Sequence, residues 1–236
     1  MKKVFLAALL AVFSSTAFAQ LITGKSAGLV QEERWGWNTF SFEYLATHFS
    51  SKIDETYSVY VPGYGSVSST AKASSAATVS GFGFTYMRAI SLTRNHQVPL
   101  YLEPGIGMEF WLGGDTSGKM KMLTAKVPLN FIYDISLANS RIHIDPYIGL
   151  RFRGNIYGTD EGYSIKRGRV VDDRQLFDKD HMGEDGVFTH FQVGWQIGCK
   201  FRFSKFYLQL GWGTDFNKIS KYTSTSQFQS AIGVAF

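Results

Sequence analysis

The chain has 236 residues, a formal net charge of +5, 16 % aromatic residues, 24 glycines and a single cysteine. One cysteine excludes an internal disulfide framework, and a weak positive charge with no basic run interleaved with stacking aromatics excludes a nucleic-acid reader. Beyond residue 19 no apolar run approaches the roughly 18 residues that a membrane-crossing helix needs, which excludes a helical membrane protein but not a β-barrel, where only alternate residues face lipid.

Residues 1–19 read as a secretory signal peptide. Lys2 and Lys3 give the positive start, Val4 to Val12 the apolar core, and Ala17-Phe18-Ala19 the small-x-small cleavage site. The apolar run is too short for a transmembrane helix. No cysteine follows the cleavage site, which argues against a lipoprotein anchor. Cleavage would start the mature chain at Gln20 and remove two of the positive charges. Residues 20–236 then suit one all-β barrel domain.

Eight alternating segments follow, because a strand turns successive side chains to opposite faces. Strand 1, about 36–48, sets Phe40, Phe42 and Tyr44 against Thr39, Ser41 and Glu43. Strand 2, about 77–90, sets Phe82, Phe84 and Tyr86 against Gly81, Gly83 and Thr85. Strand 3, about 99–112, sets Leu102, Ile106, Met108 and Phe110 against Glu103, Gly105, Gly107 and Glu109. Strand 4, about 121–134, sets Val127, Leu129, Phe131 and Tyr133 against Lys126 and Asn130. Strand 5, about 142–154, sets Ile144, Ile148, Leu150 and Phe152 against Asp145, Gly149, Arg151 and Arg153. Strand 6, about 188–203, sets Phe191, Val193, Trp195, Ile197 and Phe201 against Gln192, Gly194, Gln196, Lys200 and Arg202. Strand 7, about 206–216, sets Leu208, Leu210 and Trp212 against Gln209, Gly211, Gly213 and Asp215. The last strand carries Phe228, Ser230, Ile232, Val234 and Phe236 on one face and ends on Phe236.

An eight-stranded barrel leaves a lumen only as wide as its side chains. The many Phe, Tyr and Trp rings therefore point outward, which only lipid makes favourable. The predicted fold is an all-β, eight-stranded, antiparallel, up-and-down transmembrane barrel. Short links at 91–98, 135–141 and 203–206 alternate with generally longer ones at about 49–76, 113–120, 155–187 and 217–224, as periplasmic turns and extracellular loops do. Both termini are then periplasmic. Pro104, Pro128 and Pro146 fall inside strands, where each removes a ladder donor and calls for a bulge or a strand end. Cys199 faces outward as a small apolar residue.

Four groups of residues are candidates for chemistry. On the lumen side Glu43, Glu103, Glu109, Asp145 and Asp215 match Lys126, Arg151, Arg153, Lys200 and Arg202, five acids against five bases. Unpaired charge there is costly, so the set reads as a salt-bridge plug, with an ion path as the alternative. His48 and Ser50 share a face, but it is the lipid face, at a predicted strand end with no acid close by; His190 shares parity with Gln192 near the rim. Neither carries a hydrolase. In loop 155–187 the acidic run Asp172-Asp173 and Asp178 to Asp185 lacks the EF-hand pattern, and Lys166, Arg167 and Arg169 are candidates for lipopolysaccharide phosphates; the favoured reading is a solvated loop. Tyr57, Tyr60 and Tyr64 suit an aromatic belt at the membrane interface.

Leu100-Tyr101-Leu102-Glu103-Pro104-Gly105-Ile106-Gly107, Asp145-Pro146-Tyr147-Ile148-Gly149-Leu150, Gly194-Trp195-Gln196-Ile197-Gly198 and the Phe236 terminus resemble the small outer-membrane β-barrel (porin-family) proteins of Bacteroidota. That resemblance implies a cell outer-membrane location in a Gram-negative envelope. It also implies insertion by the barrel-assembly machinery, which reads the last strand, here Phe228, Ile232, Val234 and Phe236. It implies no shared chemistry. The sequence reading is a monomeric, non-enzymatic scaffold without cofactor or metal. Its partners are outer-membrane lipid and lipopolysaccharide, its loops serve surface or envelope contacts, and it has no nucleic-acid partner. A narrow pore and a lipid-modifying enzyme are the alternatives.

Overall fold

The computed structural model describes residues 36–62, 65–93, 98–113, 120–137, 142–166 and 169–236. Residues 1–19, read above as a signal peptide, lie outside them. The described chain forms β1 (Gly36–Val61), β2 (Gly65–Ser91), β3 (Leu100–Leu112), β4 (Met120–Tyr133), β5 (Ile135–Ser136), β6 (Ile142–Lys166), β7 (Arg169–Gln175), β8 (Phe191–Phe203), β9 (Phe206–Asp215) and β10 (Thr223–Ala235), with one short helix, α1 (Lys179–Gly186). Eight of these strands pair in a ring, β1–β2–β3–β4–β6–β8–β9–β10 and back to β1, every pair antiparallel. The first and last strands close it, from Thr39 opposite Ala235 to Ser51 opposite Thr223. The ring is an eight-stranded up-and-down barrel with no open edge along its wall, so wall N–H and C=O groups find partners around the circumference.

The wall has inverted polarity. Phe40, Phe131 and Trp212 are 45 %, 48 % and 44 % exposed on the outside, while Glu43 and Arg153 are 1 % and 0 % exposed inside. The alternation read from sequence sets this arrangement strand by strand. On β9 the outward series runs from Phe206 to Phe216. At about 3.3 Å per residue and a tilt near 40°, it makes an apolar band about 25 Å tall. Cys199 is on this outer wall, partly buried, as an unpaired thiol.

The start of β1 and the end of β10 lie at one end of the barrel, here the near end, together with the Ser204–Lys205 turn, where Ser204 takes a positive φ of 55°. At the far end the structure departs from the sequence reading. Residues 49–76 are not a loop: β1 and β2 continue past the wall as a ribbon, paired from Lys52 opposite Ser74 to Val61 opposite Gly65. Ten residues per strand carry it about 33 Å beyond the last pairing with β10. On the β2 side this stretch is mostly Gly, Ser, Thr and Ala, without the rings and charges that mark the wall strands; cross-strand pairs such as Thr56–Thr70, 3.2 Å between hydroxyls, help hold it. Tyr57 and Tyr60 sit on this ribbon rather than in a belt around the wall; Tyr60 is 71 % exposed, and Tyr64 lies outside the described residues. His48 is likewise in mid-strand, not at a strand end.

Segment 155–187 is also largely regular. β6 runs on to Lys166 and pairs with β7, helped by an Arg174–Asp160 ion pair of 2.7 Å. A bulge at Ile156, where the register against β4 shifts, turns the inward face from odd to even positions. Asp178 caps α1, accepting from the Asp180 N–H at 2.8 Å, and Gly183 (φ 72°) kinks it. Acidic residues read as possible ion ligands therefore serve a strand and a helix start.

All three prolines lie within strands. Opposite Pro104 the β2–β3 ladder lapses between Met87–Gly105 and Ile90–Leu102 and resumes in the same register; the β3–β4 ladder lapses likewise around Pro128. No bulge forms there: each missing N–H costs a local gap rather than a shift. Pro146 sits outward, opposite Cys199.

Candidate functional site

The lumen is filled in layers. At the near end Trp37, Ala89, Tyr101, Ile132, Tyr147 and Ala235 form an apolar floor. The Arg202 guanidinium stacks on it, 4.0 Å from the Trp37 ring. Arg202 donates from Nε to Asp145 and from Nη2 to Asp134, both at 3.1 Å. His143 Nδ1 meets Asp134 Oδ1 at 2.7 Å and Ser136 Oγ at 3.1 Å.

Above the floor Lys200 pairs with Glu103. Asn130 donates to Glu103 at 3.0 Å and accepts from Gln196 at 2.6 Å. Tyr147 crosses this layer, its hydroxyl accepting from Gln209 at 2.9 Å. Glycine is needed beneath it: a Cβ on Gly198 would stand 2.4 Å from that hydroxyl and 2.3 Å from the Leu210 carbonyl oxygen. Next, Lys126 pairs with Glu43 and reaches Glu109 at 3.4 Å. Higher still, Arg153 pairs with Asp215 and lies 3.8 Å from Glu109, and Arg151 meets Asp215 at 3.2 Å. Gln227 accepts from Arg151 at 2.8 Å and donates to Glu109 at 3.3 Å; Trp111 Nε1 donates to Glu109 at 3.2 Å.

An apolar lid covers this stack at the far end. Leu45, Phe49, Val79, Trp111, Met120 and Met122 from the wall meet Leu176 and Ile219 from the far-end connections, with Phe177, Met182 and Phe188 packed against them. Desolvated above and below, each charge is affordable only with its partners in place.

All ten charged residues singled out from sequence point inward, and each has an opposite charge within ion-pair distance. Asp134 and His143 complete the lowest group and were not singled out. Their signal was legible: His143 shares parity with Asp145, and Asp134 with Lys126 and Asn130. The lid was not, because its residues come from separate connections. Phe228, Ile232, Val234 and Phe236 are exposed on the outer face of β10 and at its end.

The cluster most like a catalytic or metal site is Asp134, His143 and Asp145, whose ligand atoms lie within 4.8 Å of one another. Arg202 already supplies the cation that bridges both carboxylates. Ser136 and Asp134 meet the same ring nitrogen of His143, whereas a Ser–His–acid relay needs them on opposite nitrogens. His48 faces outward and contacts the Thr78 hydroxyl at 3.3 Å; His190 stacks on Phe177 at 4.5 Å. Arg167 lies outside the described residues, and Lys166 and Arg169 pair at the tip of the β6–β7 hairpin.

No known family matches the sequence, and no curated protein does. Among solved structures, the chain is similar to Ail, the attachment invasion locus protein of Yersinia pestis, with a TM-score of 0.44 and 10 % identity over 86 % of this chain and 100 % of that one. It is similar to Neisserial surface protein A, with a TM-score of 0.42 and 11 % identity over 84 % and 97 %. It is also similar to the N-terminal β-barrel domain of Pseudomonas aeruginosa OprF, with a TM-score of 0.36 and 11 % identity over 85 % and 99 %. The closed ring of strand pairs, rather than these likenesses, establishes the fold.

Proposed function

We propose that this chain is an integral outer-membrane barrel of a Gram-negative envelope. It is a monomeric, non-enzymatic scaffold that holds its far-end ribbon, hairpin and lid outside the cell and its termini in the periplasm. The barrel-assembly machinery inserts it, reading β10, and lipopolysaccharide surrounds the outward rings. One observation carries the reading: the wall exposes its aromatic rings and buries its charges, an arrangement that water penalises and hydrocarbon rewards. The scaffold role is favoured over a pore because the lumen holds a paired charge stack under an apolar lid.

Single-cysteine labelling in liposomes tests the orientation, on a Cys199→Ala background. Phe131→Cys, Trp195→Cys and Leu210→Cys should take a membrane-partitioning maleimide and resist a charged one. Glu43→Cys, Glu109→Cys and Arg151→Cys should resist both while the barrel stays folded. Reaction of the first three with the charged reagent, or shielding of them from both, overturns the membrane reading.

A further inference from the structure

A cavity of about 440 Å³ opens at the far end, between α1 and the β9–β10 connection. Lys179 and Glu184 of α1 and Lys218 and Lys221 of the connection line it, with Phe188 and Ile219 beneath. Three lysines and one glutamate thus line it. The neighbouring Asp185 is already engaged, accepting from Lys221 Nζ at 2.8 Å and from the Tyr222 hydroxyl at 3.4 Å. Lys218 Nζ donates to the Lys221 carbonyl at 3.3 Å, which folds its side chain back along the connection.

The apolar base belongs to the lid. Ile219 is fully buried, and Phe188 stacks on Phe49 at 6.4 Å. One backbone bond joins its walls, Thr189 N–H donating to the Ile219 carbonyl at 2.6 Å, and another closes the β9–β10 connection, Ile219 N–H donating to the Thr223 carbonyl at 2.9 Å. The cavity therefore sits on hydrogen-bonded chain packed against the lid. It also adjoins the outer wall. Phe191 follows Thr189 by two residues and Phe216 precedes Lys218 by two, and they are 55 % and 65 % exposed. Two residues of chain span about 7 Å, so Thr189 and Lys218 stand close to the upper edge of the apolar band.

A free anion would use the lysines and leave the adjoining rings idle. A neutral lipid would do the reverse. A phosphorylated amphiphile uses both, its phosphate taking charge-assisted hydrogen bonds from the lysines and its acyl chains lying along the wall. We infer that this cavity binds the phosphate-bearing headgroup of an outer-leaflet glycolipid. The inference rests on the outer-membrane reading and adds to it a defined site.

The test uses the chain refolded in zwitterionic detergent. Slower gel migration after boiling than before it, the mark of a closed barrel, is checked first; its absence would count against the membrane reading itself. Folded protein is then titrated with bisphosphorylated lipid A, with its dephosphorylated form and with inorganic phosphate, and retention is read by native mass spectrometry. Wild type should hold the bisphosphorylated lipid, and the double variant K218A/K221A should bind it about tenfold more weakly, in keeping with two lost charge-assisted contacts. K218R/K221R should retain it. Lys179→Ala, on the exposed helix, should weaken it by a smaller factor without disturbing the strand connection. Equal retention of the dephosphorylated lipid, unchanged binding by both alanine variants, or full competition by inorganic phosphate overturns the inference.

Discussion

At the scale of single residues, the lumen shows how a buried charge can be held without being free to act. Lys126 has two carboxylate partners, Glu43 and Glu109. Removing its ammonium leaves both acids desolvated and takes away the base paired with Glu43. Lys126→Met should therefore cost about 3–5 kcal/mol, the range for breaking one side of a buried pair. Urea unfolding in micelles measures this, and adding Glu43→Gln should restore part of the loss; an additive double variant would show that the two residues are not coupled. Gly198 is a different sort of constraint. Its missing Cβ leaves room for the Tyr147 hydroxyl and the Leu210 carbonyl. Gly198→Ala should lower the unfolding temperature, and combining it with Tyr147→Phe should recover only part of the loss, because the backbone contact remains. The ten inward charges were legible because strand parity alone assigns a face. The partner of each charge was not, since pairs such as Lys200–Glu103 join residues far apart in sequence.

At the scale of elements, the wall strands and the far-end strands obey different rules. A wall strand has one lipid-like and one lumen face, so bulky rings and charges alternate in its sequence, and its ends can be read to within a few residues. The β2 half of the ribbon is mostly Gly, Ser, Thr and Ala and carries no such contrast, and this is why residues 49–76 read as a loop. Beyond Ser51 its strand partners are its own, apart from one bond from Lys52 N–H to the Tyr222 carbonyl at 3.2 Å. Replacing residues 52–74 by a two-residue turn should then leave the barrel's thermal unfolding nearly unchanged, as measured by circular dichroism. A large loss would mean that the ribbon braces the wall. Among the described residues, the bulge at Ile156 is where wall parity itself fails. Nothing in the sequence marks it, because Ile156 and Tyr157 are both apolar and both end up outside.

At the scale of the molecule, plug and lid act in series on the lumen. Trp37, Tyr101, Ile132 and Tyr147 close the near end, ion pairs fill the middle, and the lid covers the far end. The wild-type chain should show no steady conductance in planar bilayers. Arg151→Ala should not open it alone, because Arg153 still holds Asp215 beneath an intact lid. Arg151→Ala with Arg153→Ala and with Leu176→Ala, which thins the lid, should produce ion flicker or lose the fold. Steady conductance by the unaltered chain would instead favour the pore.

The sequence by itself determined the number of wall strands, their facing and the inversion of polarity, because each follows from alternation between neighbours one and two residues apart. Only the tertiary structure decided which charges pair, that the far-end segments fold into a ribbon, a hairpin and a lid, and that a lysine-rimmed cavity forms beside the wall. Those features depend on contacts between elements distant in the chain, where closure of the ring sets the distances and local pattern carries no information about them.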